Sequence, residues 1–256
     1  MVEAIEINKR FNIKIFTNLF SRITLYHIFM ASSMCNSIYI SEILLAIKGN
    51  KTQQILNNKS INLYYTNTQT KNYQFNTKPS EILVNGIRIN KIDFYVYNLT
   101  SEVNNITIRF NKSLTNCNVM FGNLANIIYI NFDHFDTSKV IKITGMFYGC
   151  RNLVSLDLSH FNTKFVNEMG NMFYYCTEII YLDLSSFNTS SVTNMINMFR
   201  QCNNLISLDL SKFDTSLVTT MDCMFSGCKK IISLDLRSFN TSYVTEMDDC
   251  FIIVVV

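Results

Sequence analysis

The sequence is poor in residues that ordinarily break or bend a chain, since its 256 residues include one proline and seven glycines. The glycines are scattered, which excludes the glycine-rich loops that cradle phosphate groups. No uncharged apolar run reaches the length of about 18 residues that a membrane-spanning helix needs, so a membrane anchor is not expected within this chain. The eight cysteines include neither a Cys-x-x-Cys pair nor a histidine at zinc-binding spacing, which argues against a zinc site.

Basic residues are scarce in the second half of the chain. Residues 1–114 carry 13 Lys and Arg against 6 Asp and Glu, whereas residues 115–256 carry 9 against 13. A net negative region without a basic stripe binds phosphate groups poorly. Nucleic acid is therefore not an expected partner.

A 26-residue period runs from Ile130 to the C-terminus, and the triplet Leu-Asp-Leu returns in four successive repeats. The triplets begin at Leu156, Leu182, Leu208 and Leu234. Repetition at a fixed spacing of about 20 to 50 residues is typical of proteins in which each unit buries its apolar face against its neighbours. The function of such a region is expected to lie on its surface.

Each repeat is predicted to contain a short strand, a turn and a short helix. In the triplet 156–158 the leucines are expected to face inward and the aspartate outward, because side chains alternate along a strand. Phe-Asx-Thr sequences, such as residues 161–163, predict a turn. Apolar residues within 169–176 recur at i, i+3, i+4 and i+7, which is the stripe of a helix of about two turns.

The repeat unit LDLSxFxTSxVTxMxxMFxxC resembles that of the BspA-like leucine-rich-repeat surface proteins. The resemblance covers residues 119–251, and residues 182–202 and 208–228 fit the pattern nearly letter for letter. It implies an α/β fold: a leucine-rich-repeat solenoid of 26-residue repeats, with a parallel strand ladder plus short helices and a β-rich N-terminal cap. It also implies a secreted or cell-surface location and a role in adhesion or protein binding rather than catalysis.

Three segments are expected along the chain. Residues 1–40 form a basic amphipathic or signal-like segment, and a packed helix, a signal peptide and a wrongly assigned start are the alternatives. Residues 41–110 form a β-rich cap, with a hairpin predicted at Asn85-Gly86. Residues 111–256 form the repeat array, which is expected to be truncated because its last unit stops at Phe251 and runs into an apolar stretch.

The outward aspartates are the most informative polar feature of the repeats. Unit charges about 4.8 Å apart repel by roughly 1 kcal/mol in water and by about 3 to 4 kcal/mol at an effective dielectric constant of 20. Solvent with hydrogen bonds from flanking serines, a bound cation such as calcium, and a basic partner protein are the three ways to relieve this repulsion. The predicted binding face consists of Ser155, Asp157, Tyr181, Asp183, Ser207, Asp209, Ser233, Asp235 and Arg237.

No catalytic residue, cofactor site or metal site is predicted. His134 and His160 share a column, but no serine, cysteine or acid is placed to complete a triad with them. The methionine and phenylalanine columns are expected to be core. The cysteines at 150, 176, 202 and 228 are expected to be buried free thiols, because parallel stacked side chains do not converge as a disulfide requires.

These patterns favour a non-enzymatic surface protein that binds another protein or a cell-surface macromolecule through the solenoid face. An intracellular repeat scaffold for protein assembly is the alternative, with a cytoplasmic location. Seven Asn-x-Ser/Thr sequons are compatible with secretion but are near the number that chance gives in such a chain. The identity of the ligand and the oligomeric state stay open.

Overall fold

In this computed structural model the described part of the protein consists of strands, bridges and turns. The structure describes residues 41–49, 51–57, 59, 61–64, 69–90, 94–99 and 101–249. The predicted N-terminal segment 1–40 and the apolar end of the chain therefore lie outside the described residues. The strands are β1 (Ser41–Lys48), β2 (Lys51–Gln54), β3 (Ile61–Tyr64), β4 (Thr70–Tyr73), β5 (Glu81–Val84), β6 (Ile87–Arg88), β7 (Tyr95–Leu99), β8 (Val103–Phe110), β9 (Ile127–Asn131), β10 (Ser207–Leu208) and β11 (Ser233–Leu234).

The largest sheet is antiparallel and has the strand order β6-β5-β8-β1-β9. Its strands alternate between buried and more exposed positions, as a sheet with one covered face requires. In β8, for example, Ile106, Ile108 and Phe110 are buried. The hairpin predicted at Asn85-Gly86 is confirmed, since these two residues have positive φ and connect β5 to β6.

An ion-pair network crosses the middle of this sheet. Arg109 on β8 pairs with Glu42 on β1 and donates from Nη1 to Glu81 on β5 at 2.6 Å. Arg88 lies 3.0 Å from the same Glu81 but is largely exposed. The network therefore ties three neighbouring strands through one partly buried guanidinium.

The first repeat joins this sheet directly. Strand β9 pairs antiparallel with β1, and Leu45 lies opposite Ile130. Both side chains are buried in the same apolar core, which continues from the sheet through the repeats. The sheet therefore covers the apolar side of the first repeat.

The β3–β4 hairpin covers a second side of the first repeats. Leu63 and Tyr73 pack against Val119. Gly145 has a φ of 60°, and a Cβ atom there would lie only 2.4 Å from Leu63 Cδ1, so a larger residue would have to displace the Leu63 side chain. Beyond this contact, Lys71 and Tyr73 reach Glu168 at 3.4 Å, one repeat further along the chain.

Neighbouring repeats are held together by backbone hydrogen bonds with a regular offset. Within 169–175 every second N–H donates to a carbonyl 25 residues later, and the intervening N–H groups close turns within the repeat. The bonds from Met169, Asn171, Phe173 and Tyr175 to Asn194, Ile196, Met198 and Arg200 measure 2.7–3.1 Å. Single parallel bridges link the residues of one column: Asn116, Lys142, Glu168, Asn194, Thr220 and Glu246.

The predicted helices are wrong, because the structure contains no helix in the described residues. The apolar stripe itself is correct, since Met169, Met172, Phe173 and Cys176 are all buried. However, Asn171 and Tyr175 adopt left-handed φ values of 60° and 63°, and a right-handed helix cannot include such residues. Successive turns therefore bury the same stripe that a helix would bury.

The predicted fold class, an α/β leucine-rich-repeat solenoid with a parallel strand ladder and short helices, is overturned by these observations. The principal sheet of the described chain is the five-stranded antiparallel one. Among the residues that the structure describes, parallel pairing is confined to the two-residue strands β10 and β11 and to single bridges. Because most repeat backbone bonds close turns or join turns of neighbouring repeats, regular strands and helices do not develop.

Like residues from successive repeats stack in the core. The rings of Phe121, Phe147, Phe173, Phe199 and Phe225 lie nearly parallel, with centroids 5.6–5.9 Å apart. All five are fully buried, and burying one such side chain contributes about 1.5 to 3 kcal/mol. The expectation that the methionine and phenylalanine columns form the core is confirmed.

Candidate binding surface

The residues of the predicted binding face lie together on one side of the repeats. The four aspartates of the triplets are exposed, while the leucines of the first three triplets are buried, so the predicted inward and outward alternation is confirmed there. Tyr181, Ser207 and Ser233 are neighbours in parallel pairing. The remaining members are Ser155, which is half-buried, and Arg237, which is exposed.

Each aspartate of this face fastens its own turn. Asp157, Asp183 and Asp209 each accept, at Oδ1, a hydrogen bond of 2.9 Å from the backbone N–H of the serine two residues later. At Asp235 the corresponding donor is the N–H of Arg237, whose guanidinium also pairs with the carboxylate. The carboxylates therefore have a structural role. These hydrogen bonds offset part of the repulsion between the carboxylates without a bound ion.

These contacts stabilise the charged form of two of the carboxylates. Side-chain and backbone hydrogen bonds from Ser211 lower the pKa of Asp209 below its ordinary value. Hydrogen bonds and the positive charge of Arg237 lower the pKa of Asp235 to about 2. Both side chains therefore carry a full negative charge at neutral pH.

An aliphatic column three residues before the aspartates was missed by the sequence interpretation. Val154, Ile180, Ile206 and Ile232 are half-buried or exposed, with exposures of 41% at Ile206 and 77% at Ile232. Backbone bonds of 3.1–3.4 Å connect each of these residues to the next. The signal was present in the sequence, because a β-branched residue stands two positions before every Leu-Asp-Leu triplet. The nine predicted residues and this aliphatic column together are called the aspartate face.

The cysteine column is internal to the repeats and separate from the aspartate face. Cys150, Cys176, Cys202 and Cys228 are free, buried thiols, as predicted. Each Sγ donates to a phenylalanine carbonyl of the preceding repeat at 3.0–3.2 Å. Burial raises the pKa of all four thiols, so they are poor nucleophiles and poor metal ligands at neutral pH.

The two column histidines lie in an open depression on the surface. His134 and His160 line it together with Asp133, Asp136 and Asn162. Across the described residues, no group of three His, Cys, Asp or Glu side chains is arranged to hold a metal ion. In the same part of the chain, no helix is long and apolar enough to cross a membrane.

Comparisons with known proteins place the chain in a family. Three overlapping stretches, residues 94–181, 115–207 and 176–253, match the family described as "Mycoplasma protein of unknown function, DUF285". No curated protein and no solved structure matches the chain. The expected resemblance to BspA-like leucine-rich-repeat surface proteins is therefore wrong. Because the matched stretches together span residues 94–253, more than half of the sequence, the chain belongs to the family of Mycoplasma proteins of unknown function DUF285.

Proposed function

We propose that the protein is a non-enzymatic binding module and that the aspartate face holds a basic segment of another protein. The observation that carries this proposal is that an aliphatic column with exposed members and a row of exposed carboxylates, three residues apart in each repeat, recur in four successive repeats. Apolar side chains supply contact area, whereas charges select the partner and increase the rate of association. Exposed apolar patches that are rimmed by polar residues mark interaction sites on soluble proteins.

The face is also preorganised for binding. The aliphatic column is fixed by backbone hydrogen bonds between repeats. Each aspartate is fixed by the hydrogen bond that it accepts from a backbone N–H of its own turn. A surface that is already ordered loses little conformational entropy when a partner binds. Only every second side chain of an extended partner faces the surface, so a partner in which these inward residues are in turn basic and apolar would place apolar groups on the isoleucines and charges near the aspartates.

The chain offers a closely matched pair of substitutions for testing this function. Asp209 and Asp214 belong to the same repeat, both are exposed, and each accepts a backbone N–H from the serine two residues later at 2.9 Å. Of the two, only Asp209 lies on the aspartate face. Changing either to asparagine removes one charge and leaves an oxygen that can still accept the turn hydrogen bond.

Fluorescence anisotropy with a labelled peptide of Lys-Ser-Val-Ser repeats, which presents lysine and valine on one face when extended, would measure the effect. Asp183→Asn combined with Asp209→Asn should weaken binding by about tenfold at low salt, and Asp209→Asn alone by about threefold. Asp214→Asn should leave the affinity unchanged. Equal losses for Asp209→Asn and Asp214→Asn, or no measurable binding by the wild type, would contradict the proposal.

The apolar half of the face needs a separate variant. Ile206→Ser preserves all charges but removes an aliphatic side chain that is 41% exposed. If the column contributes contact area, this variant should lose affinity by about threefold to tenfold at high salt, where the charges are screened. Unchanged affinity would restrict the function to the carboxylates.

A location at the cell surface or in the cytoplasm stays a prediction.

A further inference from the structure

Four side chains from three successive repeats stack on one another in a row. The guanidinium of Arg200 lies over the ring of Tyr174 at 5.5 Å, and Tyr174 stacks on Tyr175 with centroids 4.5 Å apart and planes inclined by 20°. The guanidinium of Arg151 lies over Tyr175, also at 5.5 Å. This set, called the Arg-Tyr stack, is partly exposed along its length, and Tyr148 flanks Tyr174 at 5.3 Å.

The two arginines of the stack differ from the other arginines of the described chain. Arg88, Arg109 and Arg237 each lie against a carboxylate. In contrast, none of the ion pairs found among the described residues includes Arg151 or Arg200.

Position over a ring leaves much of the hydrogen-bonding capacity of a guanidinium unused. The attraction between a cation and a ring uses the face of the guanidinium, whereas its N–H groups point outward along the edge. Arg200 donates from Nη1 to Asn197 Oδ1 at 3.2 Å, but its buried Nε has no hydrogen-bond partner. A guanidinium with a donor left unpaired is unfavourable, so a ligand that supplies acceptors to this group would stabilise it.

The geometry also excludes one common use of tyrosine clusters. The inner faces of Tyr174 and Tyr175 cover each other, and a guanidinium lies over each ring. A sugar ring or a nucleobase therefore has little free ring face on which to stack. The stack can instead present donors, namely guanidinium N–H groups and tyrosine hydroxyls. Burial raises the pKa of Tyr174 to about 12, so its hydroxyl keeps its proton at neutral pH.

We propose that the Arg-Tyr stack is a second binding site, which takes carboxylate groups from an acidic polypeptide segment. A guanidinium edge matches a carboxylate with two parallel hydrogen bonds. Arg151 and Arg200 lie at opposite ends of the tyrosine pair, in different repeats, which suits successive side chains of an extended chain better than one compact anion. This site selects the opposite charge from the aspartate face, so the two sites recognise different segments.

Binding of fluorescently labelled poly-L-glutamate to the full chain, measured by anisotropy at neutral pH, would test the site. The double substitution Arg151→Gln with Arg200→Gln should weaken binding by about tenfold or more. A double substitution of two exposed lysines distant in the chain, Lys48→Gln with Lys112→Gln, removes the same charge and should change the affinity less than twofold. Equal losses in the two double variants would overturn the proposal, because binding would then follow net charge alone.

Two further experiments are needed. One distinguishes the effect of guanidinium geometry from that of charge, and the other distinguishes a carboxylate ligand from a phosphate ligand. Arg151→Lys with Arg200→Lys keeps both charges but loses the paired N–H edge, so poly-L-glutamate should bind at least threefold more weakly; wild-type affinity would overturn the proposal. Polyphosphate of similar total charge should bind no more tightly than poly-L-glutamate. Tighter, arginine-dependent binding of polyphosphate would make phosphate the ligand and overturn the carboxylate assignment.

The stack connects repeats, so the variants need a check of folding. Tyr174→Phe with Tyr175→Phe keeps both rings and both guanidiniums and removes only hydroxyl groups. Its thermal unfolding should match that of the wild type, while its affinity for poly-L-glutamate should fall by about twofold to fivefold. Wild-type affinity in a folded variant would show that the hydroxyls do not contribute to binding. Unchanged binding in every variant would overturn the proposal.

Discussion

The hydroxyl of Thr163 makes two hydrogen bonds with a single residue of the next repeat. It donates to the carbonyl oxygen of Asn188 at 2.9 Å and accepts from the backbone N–H of Asn188 at 2.8 Å. Thr189 and Thr215 do the same with the residues one repeat further on, Asp214 and Asn240. One buried threonine per repeat therefore satisfies two backbone groups that no strand partner reaches.

Replacing Thr163 with valine should destabilise the protein by about 1 to 3 kcal/mol, because the N–H and the carbonyl of Asn188 would both lose their partner in a partly buried place. Urea unfolding followed by circular dichroism measures the change. Thr193→Val is the matched control, since this exposed hydroxyl donates only one bond, to Asn167, at 3.3 Å. It should change stability by less than about 0.5 kcal/mol. Similar losses in the two variants would show that the two hydrogen bonds of Thr163 contribute no more to stability than the single bond of Thr193.

Cys223 occupies a left-handed position at which the two preceding repeats have asparagine. Its φ is 53°, compared with 60° at Asn171 and 54° at Asn197. Asparagine tolerates this region better than other non-glycine residues, so Cys223→Asn should stabilise the protein by about 0.5 to 1 kcal/mol. Cys223→Val should destabilise it by at least about 1 kcal/mol, because β-branched residues disfavour positive φ. The two urea midpoints, compared with that of the wild type, should therefore shift in opposite directions; a shift in the same direction would contradict the argument.

The buried thiols should make the fold sensitive to alkaline pH. Burial raises the pKa of Cys150 from 9.0 to about 12 in the folded protein, so the folded state keeps its proton while the unfolded chain ionises. The contribution of Cys150 is therefore complete below pH 9 and is lost progressively as the pH rises from about 9 to 12. Urea midpoints should fall between pH 8 and pH 10.5 and should fall less in Cys150→Ala. An identical slope in the variant would assign the pH dependence to other groups.

The two arginines that contact Glu81 should differ in their importance. Arg109 is 11% exposed and bonds carboxylates from two flanking strands, whereas Arg88 is 65% exposed. Arg109→Gln should cost about 3 to 5 kcal/mol, because buried Glu81 and half-buried Glu42 would lose their main partner. Arg88→Gln should cost less than about 1 kcal/mol. Thermal unfolding of the two variants measures this difference, and similar melting temperatures would contradict it.

The sequence predicted which side chains are buried better than it predicted the backbone that buries them. Columns such as Phe147, Phe173 and Phe199 could be read from the 26-residue period, because burial follows directly from apolar repetition. The spacing i, i+3, i+4, i+7 does not distinguish a helix from two successive turns. The deciding information lies in the positive φ of Asn171 and Tyr175, and a tyrosine carries no sequence signal for a left-handed conformation.

The candidate sites also differ in how far the repeat pattern predicts them. The outward aspartates were predictable because they alternate with leucines in every repeat. The Arg-Tyr stack was not, because Tyr174 and Arg200 share one repeat position at which the residue type changes, while Arg151 stands at a different position of its repeat. The packing of the β3–β4 hairpin against Glu168 is likewise a contact across about 95 residues that no local pattern encodes.

The stacked phenylalanines have a consequence for the way in which the chain finds its native pairing. Phe173 could pack on Phe225 almost as well as on Phe199, so a repeat could be skipped and left as a loop. Closing such a loop costs only a few kcal/mol, which is too little to prevent the error. The residues that differ between repeats, such as the tyrosines and Arg200 of the Arg-Tyr stack, make the correct neighbour distinguishable from the next one. Irregularity in these positions therefore protects the repeats from folding out of order.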